Sequence, residues 1–348
     1  MKLLQFLILA SLISSCSLNV KKNFNKYQTQ FLSKTEFMPS KKEFEREVPK
    51  VVIFALDENK NLVATQSGLG KSMSDNIENI LAKNQLAEIV DRSSNKKLEH
   101  EISLNELKGS GSYKGPKTAD YAISGSISDA SFISKYQNGS TYINPKNFQV
   151  ITIPPSYKYT SSVAGNIKIF ELPSLTAINI IEFKDKKSRT ENVKRKGGFS
   201  LGGIQIGGET KDGVQRDDGL VRKTAYSALE KITVTLKNIF AKSGYILEKR
   251  QYDKKTIFKI PLGRLDGLKK GDRIEITGKY EVENPITGEI EIENRIIAQG
   301  KISDKIEPKT SWIVVSDEES SKRIRLGDKV KMKYKKNFFK DLIAKFFD

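Results

Sequence analysis

Cysteine occurs once in 348 residues, as Cys16, and histidine once, as His100. A lone thiol closes no internal disulfide, and one imidazole is too little help for a metal site. Stability therefore has to come from packing. Enzyme chemistry is equally short of parts. No His, Cys or paired-carboxylate constellation stands out, and His100 lies in the polar stretch KKLEHEISLNEL, where a surface residue is expected. The chain is thus read as having no catalytic residue, no cofactor and no metal. A long apolar run is also missing. Leu3 to Ile13 is almost unbroken, but a run of about ten residues falls short of the roughly twenty a helix needs to span a bilayer. The last deficit is acid: 42 Asp and Glu stand against 60 Lys and Arg.

What is present at the N-terminus gives the single cysteine a context. Met1-Lys2 supplies a positive start, the apolar stretch follows, and Ser14-Ser15 lead into Cys16. That order describes a secretory signal over residues 1–15. Ile13-Ser14-Ser15-Cys16 also resembles the bacterial lipobox, in which the sulfur is acylated and the signal is cut before the cysteine. Cys16 is therefore the candidate lipid-attachment residue; the plainer alternative is an ordinary signal with an incidental cysteine. Export also redirects the charge argument. A basic excess normally points to nucleic acid, but outside the cytoplasm anionic lipid headgroups, cell-wall polymers or acidic protein faces come first. No nucleic-acid partner is expected.

With 37% hydrophobic residues the chain can bury sizeable cores, and about 330 mature residues suggest two domains. Residues 16–47, rich in Lys, Asn, Ser and Gln, read as a lipidated tether with an r.m.s. reach of about 30 Å, though some of its aromatics could pack on a neighbour. From Val48 the texture changes. PKVVIFALD, LAEIVDR, DYAISGSISDASF, SVAGNIKIFEL and TAINIIEFK read as strands. Leu69, Met73, Ile77, Ile80 and Leu81 place a helix over 67–84, and a polar helix is expected over 96–107. Ala225, Ala228, Leu229, Ile232, Leu236, Ile239 and Phe240 form one apolar helical stripe, with Asp217 and Asp218 before its positive end and Lys242 and Gly244 at its close. Residues 48–244 thus form a sheet with packed helices. Residues 245–335 instead give short strands separated by turns, a small all-β barrel, in which LKKGDRIEI and IRLGDKVKM use one Gly-Asp turn twice.

Three further stretches are candidates for function. GLGKS (68–72) lacks the Gly that a phosphate-binding loop needs at position 65, so its glycines are assigned to the start of a helix. Lys184, Lys186, Lys187, Arg189, Lys194, Arg195 and Lys196 are a candidate anion- or partner-binding cluster, against the bland reading of a solvated mobile loop; the glycine-rich 197–209 after them suits a hairpin. At the C-terminus, Phe338, Phe339, Leu342, Ile343, Phe346 and Phe347 make the apolar face of an amphipathic helix over 336–348. It packs on its own domains, docks on a partner, or lies on a membrane surface.

On element order and local texture, residues 48–243 resemble the periplasmic α/β domain of the CsgG curli-secretion lipoprotein family and the related TolB N-terminal domain. The residues that carry this are PKVVIFALD, KSMSDNIENILAKNQLAEIVDR, TADYAISGSISDASF and SVAGNIKIFELPSLTAI, where Ser174-Leu175 replaces the family's usual Thr-Gly turn. Residues 256–333 resemble the C-terminal domain of the FlgT flagellar assembly family through LDGLKKGDRIEI, NPITGEI and KTSWIVV. The implied fold class is α+β/α/β: a CsgG/TolB-N-like sheet, then a small SH3-like all-β barrel and the C-terminal helix. The implied role is a non-enzymatic, periplasm-facing outer-membrane lipoprotein that scaffolds a flagellar-type ring or secretion apparatus, as a homo-oligomer with envelope-assembly proteins as partners. The alternative is a CsgG-type secretion pore subunit. Its membrane hairpins would fall in arms at 133–161 and 185–216; the first is polar throughout and contains Pro145, Pro154 and Pro155, and the second has only four apolar positions between its basic cluster and TKDGVQRDD, too few for a lipid-facing row.

Overall fold

The computed structural model describes residues 18–45, 48–91, 95–108, 112–113, 119–193, 199–201, 204–206 and 216–335. Its architecture is mixed α/β, with several sheets and few helices. In chain order, β1 (Gln28–Gln30), α1 (Lys41–Glu45), β2 (Lys50–Ile53), α2 (Leu62–Ser67), α3 (Leu69–Lys83), β3 (Glu88–Val90) and α4 (Lys96–Lys108) come first. Next are β4 (Tyr121–Gln137), β5 (Ser140–Ile143), β6 (Val150–Ile153), β7 (Ser156–Glu171), β8 (Thr176–Asn192), β9 (Phe199–Leu201), β10 (Ile204–Ile206) and α5 (Asp218–Ile239). The remainder holds β11 (Ser243–Tyr245), β12 (Glu248–Tyr252), β13 (Lys255–Ile260), β14 (Arg273–Glu283), β15 (Ile290–Ile306), β16 (Ser311–Val315), α6 (Glu318–Arg323) and β17 (Lys329–Lys333).

Two compact units result. One comprises Lys50–Ile80 and Ile89–Thr233; the other comprises the described residues up to Pro49, Leu81–Glu88, and those from Val234 onward. The cut expected near residue 244 therefore lies inside the second unit.

The first unit is built on a five-stranded sheet of order β3–β2–β4–β7–β8. β2 and β4 run parallel, which requires the crossover that α2, α3, β3 and α4 supply. Because side chains alternate across a strand, Val52, Ala122 and Phe170 share one face, closed by Leu98 and Ile102 of α4. The residues between them in sequence, Val51, Ile53, Ile123 and Ile169, are equally buried, as are Leu69, Met73 and Ile77 of α3 and Val221, Ala225, Ala228 and Leu229 of α5. The glycines of GLGKS sit where two helices meet. Gly68 ends α2 in the left-handed region (φ 61°), and a Cβ on Gly70 would lie 2.2 Å from the Leu56 carbonyl oxygen.

The second unit contains an antiparallel eight-stranded sheet, β1–β12–β13–β16–β15–β14–β17–β11. Phe258, Ile260, Ile313 and Val315 point into a core with Ile274, Ile276, Ile302 and Val330. Between them, Ile257, Trp312 and Val314 point the other way, yet they too are buried. What covers them is the segment expected to be a tether. Leu18, Val20 and Tyr27 sit on that face, and Phe24 meets Trp312 edge-on at 5.2 Å. Asp304 holds the segment down. Its carboxylate accepts from the Val20 and Lys21 amides at 2.6 and 2.9 Å, and its own amide donates to the Leu18 carbonyl at 3.0 Å. β1 then pairs with β12. Residues 18–30 are thus a layer of the fold, a correction of the flexible tether. Each of the three covering side chains contributes on the order of 2 kcal/mol by burial.

The repeated Gly-Asp turn is real in three dimensions. Gly271 and Gly327 both take φ near +90°. Asp272 accepts from the Lys269 amide at 2.8 Å and Asp328 from the Arg325 amide at 2.6 Å, the same closure used twice. The close of the long helix differs from expectation. Gly244 is a β11 residue paired with Val330, and the Lys242 ammonium turns to the Asp266 carbonyl at 3.1 Å.

Candidate functional site

Three strands of the first unit run on well past its core. β4 pairs with β7 without a break from Gln137↔Ser156 to Asp129↔Ala164, and β7 with β8 from Ser156↔Asn192 to Ile169↔Asn179. The result is a three-stranded arm. One face carries aromatic side chains at cross-strand positions, the pairing that most strengthens a ribbon. Tyr136 and Tyr157 meet edge-on at 5.2 Å, Tyr157 and Tyr159 stack at 6.1 Å, and Phe132 stacks on Tyr159 at 5.9 Å. Leu220 of α5 completes the cluster.

Of the seven candidate basic residues, Lys184, Lys186, Lys187 and Arg189 lie on β8; Lys194, Arg195 and Lys196 lie outside the described residues. The first four are on a regular strand paired along its length with β7, which corrects the mobile-loop reading for them. They also divide by role. Arg189 lies 5.7 Å from the Tyr159 ring centre and pairs with Glu191 at 3.1 Å and Asp217 at 2.8 Å. Asp217 caps α5 by accepting from the Leu220 amide at 2.9 Å. Arg189 is therefore a brace between arm and helix.

A second brace lies lower on the arm. Lys231 of α5 meets the Asp185 carboxylate at 2.5 Å. Burial would raise the Asp185 pKa, but hydrogen bonds from Lys231, Ser227 and the Lys186 amide together hold it below the usual value. Asp218 is likewise held low by hydrogen bonds from Arg216 and Ser67. That leaves Lys184, Lys186 and Lys187 without an acidic partner among the described residues. Lys184 and Lys186 are exposed and Lys187 half-buried. β8 ends its sheet, so these cations lie along an edge that no described strand covers.

At the far end of the arm, β5 and β6 form a hairpin of four residues a side, with Tyr142, Ile143, Val150 and Ile153 exposed. β9 and β10 pair antiparallel, a hairpin within the glycine-rich stretch. Cys16 and the C-terminal Phe338, Phe339, Leu342, Ile343, Phe346 and Phe347 lie outside the described residues. Among the described residues, His100 is exposed, no group of three His, Cys, Asp or Glu is placed to hold a metal, and no helix is long and apolar enough to cross a membrane. The aromatic cluster was the feature that sequence reading missed. Tyr157 and Tyr159 are spaced by two, a strand signal, but they follow Pro154-Pro155 in the arm 133–161, which reads as polar throughout.

No protein-family model and no curated protein matches the chain. Among solved structures, a PelC dodecamer from Paraburkholderia phytofirmans matches at 11% identity over 60% of this chain and 96% of that one, with a TM-score of 0.23. A superposition that loose carries no argument about function.

Proposed function

We propose that the chain is a non-enzymatic outer-membrane lipoprotein, facing the periplasm, that scaffolds an envelope assembly such as a flagellar-type ring. In this reading the first unit is CsgG/TolB-N-like and the second FlgT-C-like. The observation that carries it is the seating of Leu18. Cys16 is two residues upstream of a backbone fixed by Asp304, so an acyl group on its sulfur starts within about 7 Å of Leu18 along the chain. The lipid would hold the eight-stranded sheet close to the bilayer. Lys21, Lys22 and Lys26 beside that point suit anionic headgroups, the second signal that stable anchoring needs beside an acyl chain. Fractionation and intact mass test this. The native N-terminus should gain acyl mass, and Cys16→Ser should move the protein out of the outer-membrane fraction; unchanged fractionation without added mass would end the reading.

The pore alternative draws on the length of β4, β7 and β8 and the exposed apolar tip of β5 and β6. Its difficulty is chemical: Lys135, Lys158, Lys184 and Lys186 project along the arm, where a spanning strand needs a lipid-facing apolar row. Hydrogen exchange with and without liposomes separates the two, since protection of 133–161 and 185–216 only with lipid favours the pore.

A further inference from the structure

We propose that the distal ribbon of β14 and β15 is a docking strand for a second copy of this chain, adding its free β15 edge to the basic outer edge of that copy's β8.

The ribbon is left open by the sheet that roots it. β14 pairs with β17 only over Arg273–Thr277, and β15 meets β16 only from Lys301 onward. From Gly278↔Arg295 to Glu283↔Ile290 the two strands pair with no other strand among the described residues. A two-stranded ribbon is marginal by itself, yet the base of this one is braced. The Arg325 guanidinium sits 4.9 Å from the Tyr280 ring centre and donates to the Lys279 carbonyl at 3.2 Å, and Arg295 covers the same ring at 5.8 Å. A fixed base presents the tip.

That tip is neither blunted nor neutral. Ile290, Ile292 and Ile296 occupy one face at alternate positions and are 66%, 56% and 58% exposed. Natural edges are usually protected by inward charge, lysine or proline; here a bare isoleucine row faces solvent. Between Lys279 and Arg295 there are five glutamates, at 281, 283, 289, 291 and 293, and no Lys or Arg. In a chain with 60 basic and 42 acidic residues, an acidic strand is the local exception and marks what it can meet.

β8 offers the complement. It is an edge that no described strand covers, although the Lys184 carbonyl accepts from the Lys231 ammonium at 3.3 Å; Lys184, Lys186 and Lys187 are free of acidic partners among the described residues, and Ile178 and Ile180 are 42% and 59% exposed along it. Strand addition supplies backbone hydrogen bonds, while apolar contact and Glu–Lys pairing give selectivity. The two patches differ, so the contact is head-to-tail: copies close into a ring or grow as a fibre. This inference deepens the scaffold reading and rests on it for its biological meaning, but the contact itself requires no lipid.

Sedimentation of the full chain in mild detergent tests it. The chain should associate at low salt and dissociate as salt rises. Glu281→Lys with Glu283→Lys and Glu291→Lys, and separately Lys184→Glu with Lys186→Glu and Lys187→Glu, should each weaken association by about tenfold or more. An equal mixture of the two variants should restore it, because each ribbon then meets an opposite charge. As a check that does not depend on reversed charge, Glu291→Cys in one tagged copy and Lys186→Cys in another should give a mixed disulfide dimer. A monomeric wild-type chain, association indifferent to both reversals, loss without restoration on mixing, or a ribbon that captures some other basic protein while the chain stays monomeric would each overturn the proposal. Cys16→Ser should leave association intact while releasing the chain from the membrane fraction; a Cys16→Ser chain still retained in the membrane would sink the anchor and not the docking strand.

Discussion

Two sets of strands run out beyond the cores that root them, and they are finished differently. The arm of β4, β7 and β8 has a third strand, an aromatic face and two ionic braces to α5, at Arg189–Asp217 and Lys231–Asp185. The ribbon of β14 and β15 has two strands, a braced base and a bare isoleucine row. The comparison teaches that length alone does not make a strand an interaction element. The arm's aromatic face already packs on its own helix, whereas the ribbon's isoleucine row faces solvent.

The largest expected effect comes from removing the arm's internal support. Tyr159 is 3% exposed beneath Arg189 and between Phe132 and Tyr157. Tyr159→Ala should destabilise the first unit by about 3 kcal/mol in urea unfolding, as large-to-small aromatic deletions do; a loss below about 1 kcal/mol would show that the cluster is not a core. A smaller effect should come from acid. The Asp185 carboxyl is held below its ordinary value in the folded chain, so its stabilisation is complete above the unfolded value of 3.8 and fades as pH falls through the lower folded value. With Lys231 half exposed, the pair is worth less than about 1 kcal/mol. Asp185→Asn should flatten the acid limb of a stability–pH curve below pH ~4, and an unchanged limb would remove this brace from the account. The smallest effect belongs to the ribbon. Ile292→Thr should shift unfolding by under about 0.5 kcal/mol, since the side chain touches little. A loss as large as that of Tyr159→Ala would mean the ribbon is buried within its own chain.

The elements most legible in the sequence were those with one buried face. The stripe from Ala225 to Phe240 and the run SWIVV both stand where periodicity put them. Legibility failed where polar segments do structural work through few side chains. Residues 18–30 have the composition of a linker, and only Leu18, Val20 and Tyr27 are buried in them; backbone bonds to Asp304 and β12 supply the rest. SWIVV held the clue, because five consecutive buried positions require cover on both faces. The basic cluster was visible as composition, but its partition was not. Arg189 and Lys184 look alike in sequence, and only the register of β7 against β8 shows that one faces Tyr159 and an acid while the other faces solvent.

The seated N-terminal layer has a practical corollary for anyone preparing fragments. Composition invites a cut at residue 48, just ahead of the first obvious strand. A fragment trimmed there would leave the indole of Trp312 and its neighbours Ile257 and Val314 uncapped, so clumping of such a fragment would report a missing lid and not a badly folded sheet.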